Sequence, residues 1–71
     1  MSPRLPRITA KDLIRFLKQN GFENFASKGS HQHFINPLNQ RKVTVPVHSG
    51  KIIGPGLLKA ILNQAGLTWD F

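Results

Sequence analysis

A chain of 71 residues with ten Lys and Arg, three Asp and Glu, a formal charge of +7 and no cysteine excludes a disulfide scaffold and any thiolate-bound metal. Hydrophobic residues at 39% and charged ones at 18% can furnish a small core, so residues 1–71 read as one folded domain and not as a disordered basic tail. A pI near 11.1 makes a polyanion the first partner to consider, nucleic acid ahead of an acidic protein surface or plain solubility.

The opening MSPRLPRIT has charge but no apolar run of signal-peptide length, and no later segment reaches the length of a membrane span. The expectation is a cytoplasmic protein with no membrane partner. Thr9 is placed to cap a helix, Asp12 completes a variant capping box, and Ile8 is set to staple onto Leu13. The spacing predicts that helix from about Ala10 to Asn20. Ala10, Leu13, Ile14 and Leu17 share a face, and Lys11, Arg15 and Lys18 lie off it. Gly21 supplies the left-handed residue at its end, with Phe22 packing back on the last turn.

From Phe22 to Val47 the period changes to two, interrupted by the turn signals KGS and NPLNQ. Three antiparallel strands are expected, at about Glu23 to Lys28, His31 to Asn36 and Arg41 to Val47. Val43, Val45 and Val47 share a face of the last, and Pro46 marks an edge or a termination. After the loop HSGKIIGPG, residues Leu58, Ile61, Leu62 and Ala65 recur at helical spacing, with Pro55 in the first turn and Gly66 at the stop. The order α-β-β-β-α implies an α+β two-layer sandwich: helices against one face of a three-stranded antiparallel sheet, the other face open to solvent.

A two-residue turn at Gly29-Ser30 sets Lys28 opposite His31 and Phe25 opposite Phe34. A four-residue loop from Pro37 to Gln40 then pairs Phe34 with Val43, His33 with Thr44 and His31 with Pro46. In that register Phe25, Phe34 and Val43 face the core, which makes Phe25 and Phe34 packing residues and not stacking platforms. Lys28, His31, His33, Lys42 and Thr44 share the open face, and Gln32 is a misfit on the core side.

Three readings of His31 and His33 compete: solvated strand residues, a metal site, or acid-base chemistry. The metal reading is the poorest, because a structural zinc prefers four protein ligands and the chain has no cysteine and few carboxylates. An imidazole beside a lysine on a basic surface suits acid-base work. The H-x-H spacing alone does not raise that reading above solvated residues.

The segments LPRITAKDLIRFLKQNGFE, KGSHQHF and VTVPVHSGKIIGPGLLKAILNQAGL, in this order and at these intervals, resemble the HicA toxins of bacterial type II toxin-antitoxin systems. The resemblance runs from about Leu5 to Leu67 and rests on Gly29-Ser30-His31, on the VPVH of Val45 to His48, and on the closing ILNQAGL; the tail TWDF is its least family-like part. It implies a fold similar to double-stranded RNA-binding domains, and a ribonuclease that cuts mRNA and arrests translation. The catalytic histidine of the family's G-S-H motif falls on His31. The implied partners are mRNA and a HicB-like antitoxin, which covers that histidine and in many systems represses the operon through its own DNA-binding domain, so no direct DNA binding is expected of the toxin alone.

The residues fit such chemistry. A base that takes the proton of an RNA 2′-hydroxyl permits in-line attack on the adjacent phosphate without a metal, so neither a metal nor another cofactor is expected. Lys28 is the first candidate for neutralising the charge that develops on phosphorus. Lys42 is a weaker one, with phosphate binding or solubility as its plainer role. Ser30 positions His31 through the turn and offers a hydroxyl to phosphate. His33 is an auxiliary RNA contact or a bystander, and His48 is a second acid-base group or a turn histidine. The rival reading, a non-catalytic double-stranded RNA-binding module, calls for a cluster of cations, whereas GPGLLKAILNQAG carries one lysine. A third, an interaction protein whose basic surface meets an acidic partner, stands alone only without RNA cleavage.

Overall fold

The computed structural model describes residues 8–48 and 51–69; Arg4, Arg7, the Ser49-Gly50 pair and the last two residues of TWDF lie outside them. A two-residue strand β1 (Ile8–Thr9) leads directly into helix α1 (Ala10–Gln19). Thr9 caps the helix as its sequence implies: the Asp12 backbone N–H donates to the Thr9 hydroxyl, and the Asp12 carboxylate accepts from the Thr9 backbone N–H at 3.1 Å. Those bonds, the backbone one foremost, hold the Asp12 carboxyl below its ordinary range. The helix ends at Asn20, where the N–H groups of Gly21 and Phe22 turn back to the carbonyls of Lys18 and Leu17. Phe22 is thereby folded into the core.

Strands β2 (Glu23–Lys28), β3 (His31–Ile35) and β4 (Lys42–Pro46) form an antiparallel sheet in the order β2-β3-β4. Both turns set the expected register. Gly29 has φ 58, which a glycine at the first position of a two-residue hairpin turn supplies without strain, and Lys28 pairs with His31. On the other side Phe34 pairs with Val43, His33 with Thr44 and His31 with Pro46. The Asn36 side chain secures the second turn, accepting from the Leu38 N–H and reaching the Asn20 carbonyl at the end of α1.

One expected pairing fails. A β-bulge between Asn24 and Ala26 makes Asn24, not Phe25, the partner of Phe34. The extra residue reverses the alternation, so Phe25 leaves the core face and stands 52% exposed, whereas Phe34 is completely buried. The amide of Asn24 braces the bulge, donating to the carbonyls of Ala26 and His33. Gln32, the misfit on the core side, is half-buried between Ser27 and Val45.

A second pairing lies outside the three-stranded sheet. Strand β5 (Ile52–Ile53), within the expected loop, joins β1 as a two-stranded antiparallel sheet, Ile8 opposite Ile53. Helix α2 (Pro55–Ala65) follows, with Pro55 in its first turn and Leu58, Ile61, Leu62 and Ala65 buried. The helices pack behind β4, leaving every residue of edge strand β2 exposed. Phe34, Leu13, Leu17, Leu58, Ile61 and Val45 form the center of the core, each contributing roughly 1.5–3 kcal/mol by burial. The two helices and three-stranded antiparallel sheet, in the order α-β-β-β-α, give the α+β architecture of double-stranded RNA-binding domains.

Two contacts join distant segments. Gly66 ends α2 with φ 70, and a Cβ there would lie 2.8 Å from the Arg41 guanidinium carbon; Arg41 donates to the Gln64 carbonyl at 3.2 Å. Arg41 thus serves the negative end of a helix dipole. Trp69, from the TWDF tail, stacks on Phe16 of α1 with ring centroids 4.2 Å apart.

Candidate nucleic-acid interface

The open face of the sheet is built by the two tight turns. Because Gly29-Ser30 closes the β2-β3 hairpin directly, His31 starts β3 at the mouth of the turn with Lys28 opposite it. The Ser30 carbonyl accepts from the Val47 N–H at 2.6 Å, which ties the turn to the end of β4. Lys28, Gly29, Ser30, His31, His33 and Thr44 line a shallow cleft of about 480 Å³. Four residues expected on this face therefore do converge, Lys28, His31, His33 and Thr44, together with Ser30 of the turn.

Within the cleft the histidines differ. His31 is exposed, whereas His33 is half-buried with its Nδ1 2.9 Å from the Thr44 hydroxyl. Thr44 fixes the His33 ring, a positioning role that the sequence pairing alone did not define.

Lys42 and His48 take other places. Lys42, opposite Ile35, is displaced along the sheet, and its ammonium lies 5.8 Å from the centroid of the Phe25 ring. His48 lines a separate cavity with Pro46, Lys51, Ile52, Ile53, Gly54 and Leu57. The residue that sequence reasoning missed is Phe25: strict alternation assigned it to the core, and the bulge turns its ring onto the open face, 6.1 Å from the His33 ring. A mark of the bulge was present in Asn24, whose short amide readily bonds nearby backbone.

Among the described residues the side-chain carboxylates, Asp12 and Glu23, lie away from His31. Asp12 is engaged at the start of α1, and Glu23 pairs with Ile35 at the far end of the hairpin. Among the described residues no three His, Asp or Glu side chains gather as a metal-binding set, and no helix is long and apolar enough to cross a membrane.

Comparison with known proteins points the same way as the motifs. The chain is 43% identical over 53 residues to a protein of Pseudomonas fluorescens (strain Pf0-1) named probable mRNA interferase HicA; the alignment covers 75% of this chain and 85% of that protein. The family model described as HicA toxin of bacterial toxin-antitoxin matches residues 10–67, from the first residue of α1 to just beyond the end of α2. The chain belongs to the HicA toxin family.

Proposed function

We propose that this chain is a metal-independent endoribonuclease that cuts mRNA through His31 and so arrests translation, acting as a single toxin domain over residues 1–71. The observation that carries the proposal is the cleft itself: an exposed histidine at the mouth of a glycine-serine turn, with a lysine directly opposite, on a chain of charge +7. The His31 imidazole accepts the proton of a 2′-hydroxyl, and that oxygen attacks the adjacent phosphorus while the bond to the 5′ oxygen breaks. The Lys28 ammonium offsets the charge gathering on the phosphoryl oxygens, and the Ser30 hydroxyl adds a hydrogen bond. The departing 5′ oxygen takes a proton from solvent, which the open cleft admits. His33, held by Thr44, supports the cleft wall and contacts RNA. His48 lines another cavity and contributes to the loop there.

This sequence of steps needs no divalent ion, and the engagement of Asp12 and the remoteness of Glu23 fit that route. The natural inhibitor is a HicB-like antitoxin that sits on the open face and covers His31 and Lys28 together. Substrate chemistry tests the reaction directly. The products should carry 2′,3′-cyclic phosphate, or the monoester it opens to, and 5′-hydroxyl ends, and a 2′-deoxy residue at a cleaved position should block scission there. Cleavage that persists at 2′-deoxy positions would rule the mechanism out.

A further inference from the structure

Phe25 is a large apolar side chain standing 52% exposed, in a chain that buries Phe22 and Phe34 to 2% and 0%. Its position is constructed. The bulge between Asn24 and Ala26 turns the ring out of the core, and the Asn24 amide holds the bulge with two bonds of 3.2 Å. Bulges commonly re-aim a side chain beside a functional site. Here the ring is aimed onto the same face as His31 and Lys28.

The surroundings of the ring select a chemistry. His33, clamped by Thr44, leans against it with ring centroids 6.1 Å apart and planes inclined by 45°. The Lys42 ammonium lies 5.8 Å from its centroid. An exposed π-surface with a cation over it, on a strongly basic protein, matches a flat aromatic group that carries a negative charge close by, the base taking a face of the ring and its phosphate drawing the ammonium. An unpaired nucleobase with its phosphate is such a group. A duplex hides the faces of its bases, so the match holds for single strands only.

We infer that Phe25, flanked by His33 and Lys42, is a stacking subsite for an unpaired base of the RNA strand whose phosphate lies at His31. The inference rests on the ribonuclease reading and adds to it a requirement for single-stranded substrate around the cut. Lys42 holds the phosphate of the stacked nucleotide. His33 braces the ring and so gains a role that does not require proton transfer.

The test measures binding, with His31→Ala present throughout to prevent cleavage. A short labelled single-stranded RNA is compared with an abasic ribose-phosphate oligomer of equal length and with a duplex. Phe25→Ala should weaken single-strand binding by about fivefold or more, the loss of one base stack. It should leave the abasic oligomer, the duplex and the salt dependence unchanged, because the phosphate contacts remain. Phe25→Trp should retain affinity, and Phe25→Leu should lose most of it although it keeps apolar area; circular dichroism checks that each variant is folded. Single-strand binding indifferent to Phe25, or an equal loss on the abasic oligomer, overturns the subsite alone. Loss of binding to a HicB-like antitoxin with RNA binding intact also overturns it, assigning the ring to protein docking. Absence of RNA binding by the His31→Ala chain itself overturns the ribonuclease reading together with the subsite.

Discussion

Truncating Phe34 and Phe25 to alanine, one at a time, separates the bulged register from simple alternation. Phe34 is fully buried between β2 and β4, and removing such a ring costs about 3–5 kcal/mol in lost transfer energy and cavity. Phe25 is 52% exposed, so about half of the 1.5–3 kcal/mol available from full burial is at stake, or about 1 kcal/mol. In a chain of this size a loss of 1 kcal/mol lowers the midpoint by about 4–8 °C. Phe25→Ala should therefore fall by about that much, and Phe34→Ala by about 12 °C or more, close to the limit of a small domain. Phe34→Leu leaves a smaller cavity and keeps the comparison measurable if alanine prevents folding. Thermal unfolding can be followed by circular dichroism and by the fluorescence of Trp69, the single tryptophan, which reports its stack on Phe16. Equal losses at the two positions would mean that both rings are buried, and the bulge and the stacking subsite would fall together.

Four further outcomes follow from the geometry. Thr9→Ala removes the hydroxyl cap of α1 and should cost about 1 kcal/mol, read as a drop in the unfolding midpoint. Because the Asp12 carboxyl is held below the ordinary aspartate value of 3.8 in the folded chain, its contribution is present above that pH and lost as pH falls through the depressed value. Asp12→Asn should flatten that acid limb in a midpoint-against-pH series, and an unchanged limb would contradict the capping account. Gly66→Ala forces a side chain into left-handed backbone, at about 1–2 kcal/mol, and also displaces Arg41 from Gln64. Its cost should shrink in an Arg41→Ala background, and an identical cost in both would show that the two do not interact. RNA and a HicB-like antitoxin should exclude one another on the His31→Ala chain, the protein complex forming faster at low salt. A stable ternary complex with RNA still on the open face would refute that inhibition mechanism.

Local chemistry made much of the fold legible. Thr9 and Asp12, Gly21, Pro55 and Gly66 mark the helix ends by bonds made within a few residues, and the structure has them where the sequence places them. The turns at Gly29-Ser30 and Pro37 to Gln40 fix both registers near their loops, which is why Lys28, His31, His33 and Thr44 were assembled correctly. Alternation carries no memory of an inserted residue, so the error begins at Phe25, the residue in the bulge. The β1-β5 pair is two residues long on each side, too short to express a period. The attachment of Arg41 to the end of α2 spans 23 positions and has no local signature.

The central claim is that His31 is the base of a metal-independent ribonuclease. The most direct measurement is cleavage of a long mRNA by the purified protein in excess chelator, beside its His31→Ala and His33→Ala variants, each checked for fold by circular dichroism. The account predicts cleavage by the parent in chelator, its abolition in His31→Ala, and a much smaller loss in His33→Ala. Full activity in folded His31→Ala, or parent activity that vanishes in chelator and returns with a divalent ion on an RNA whose own folding is unaffected, would contradict it.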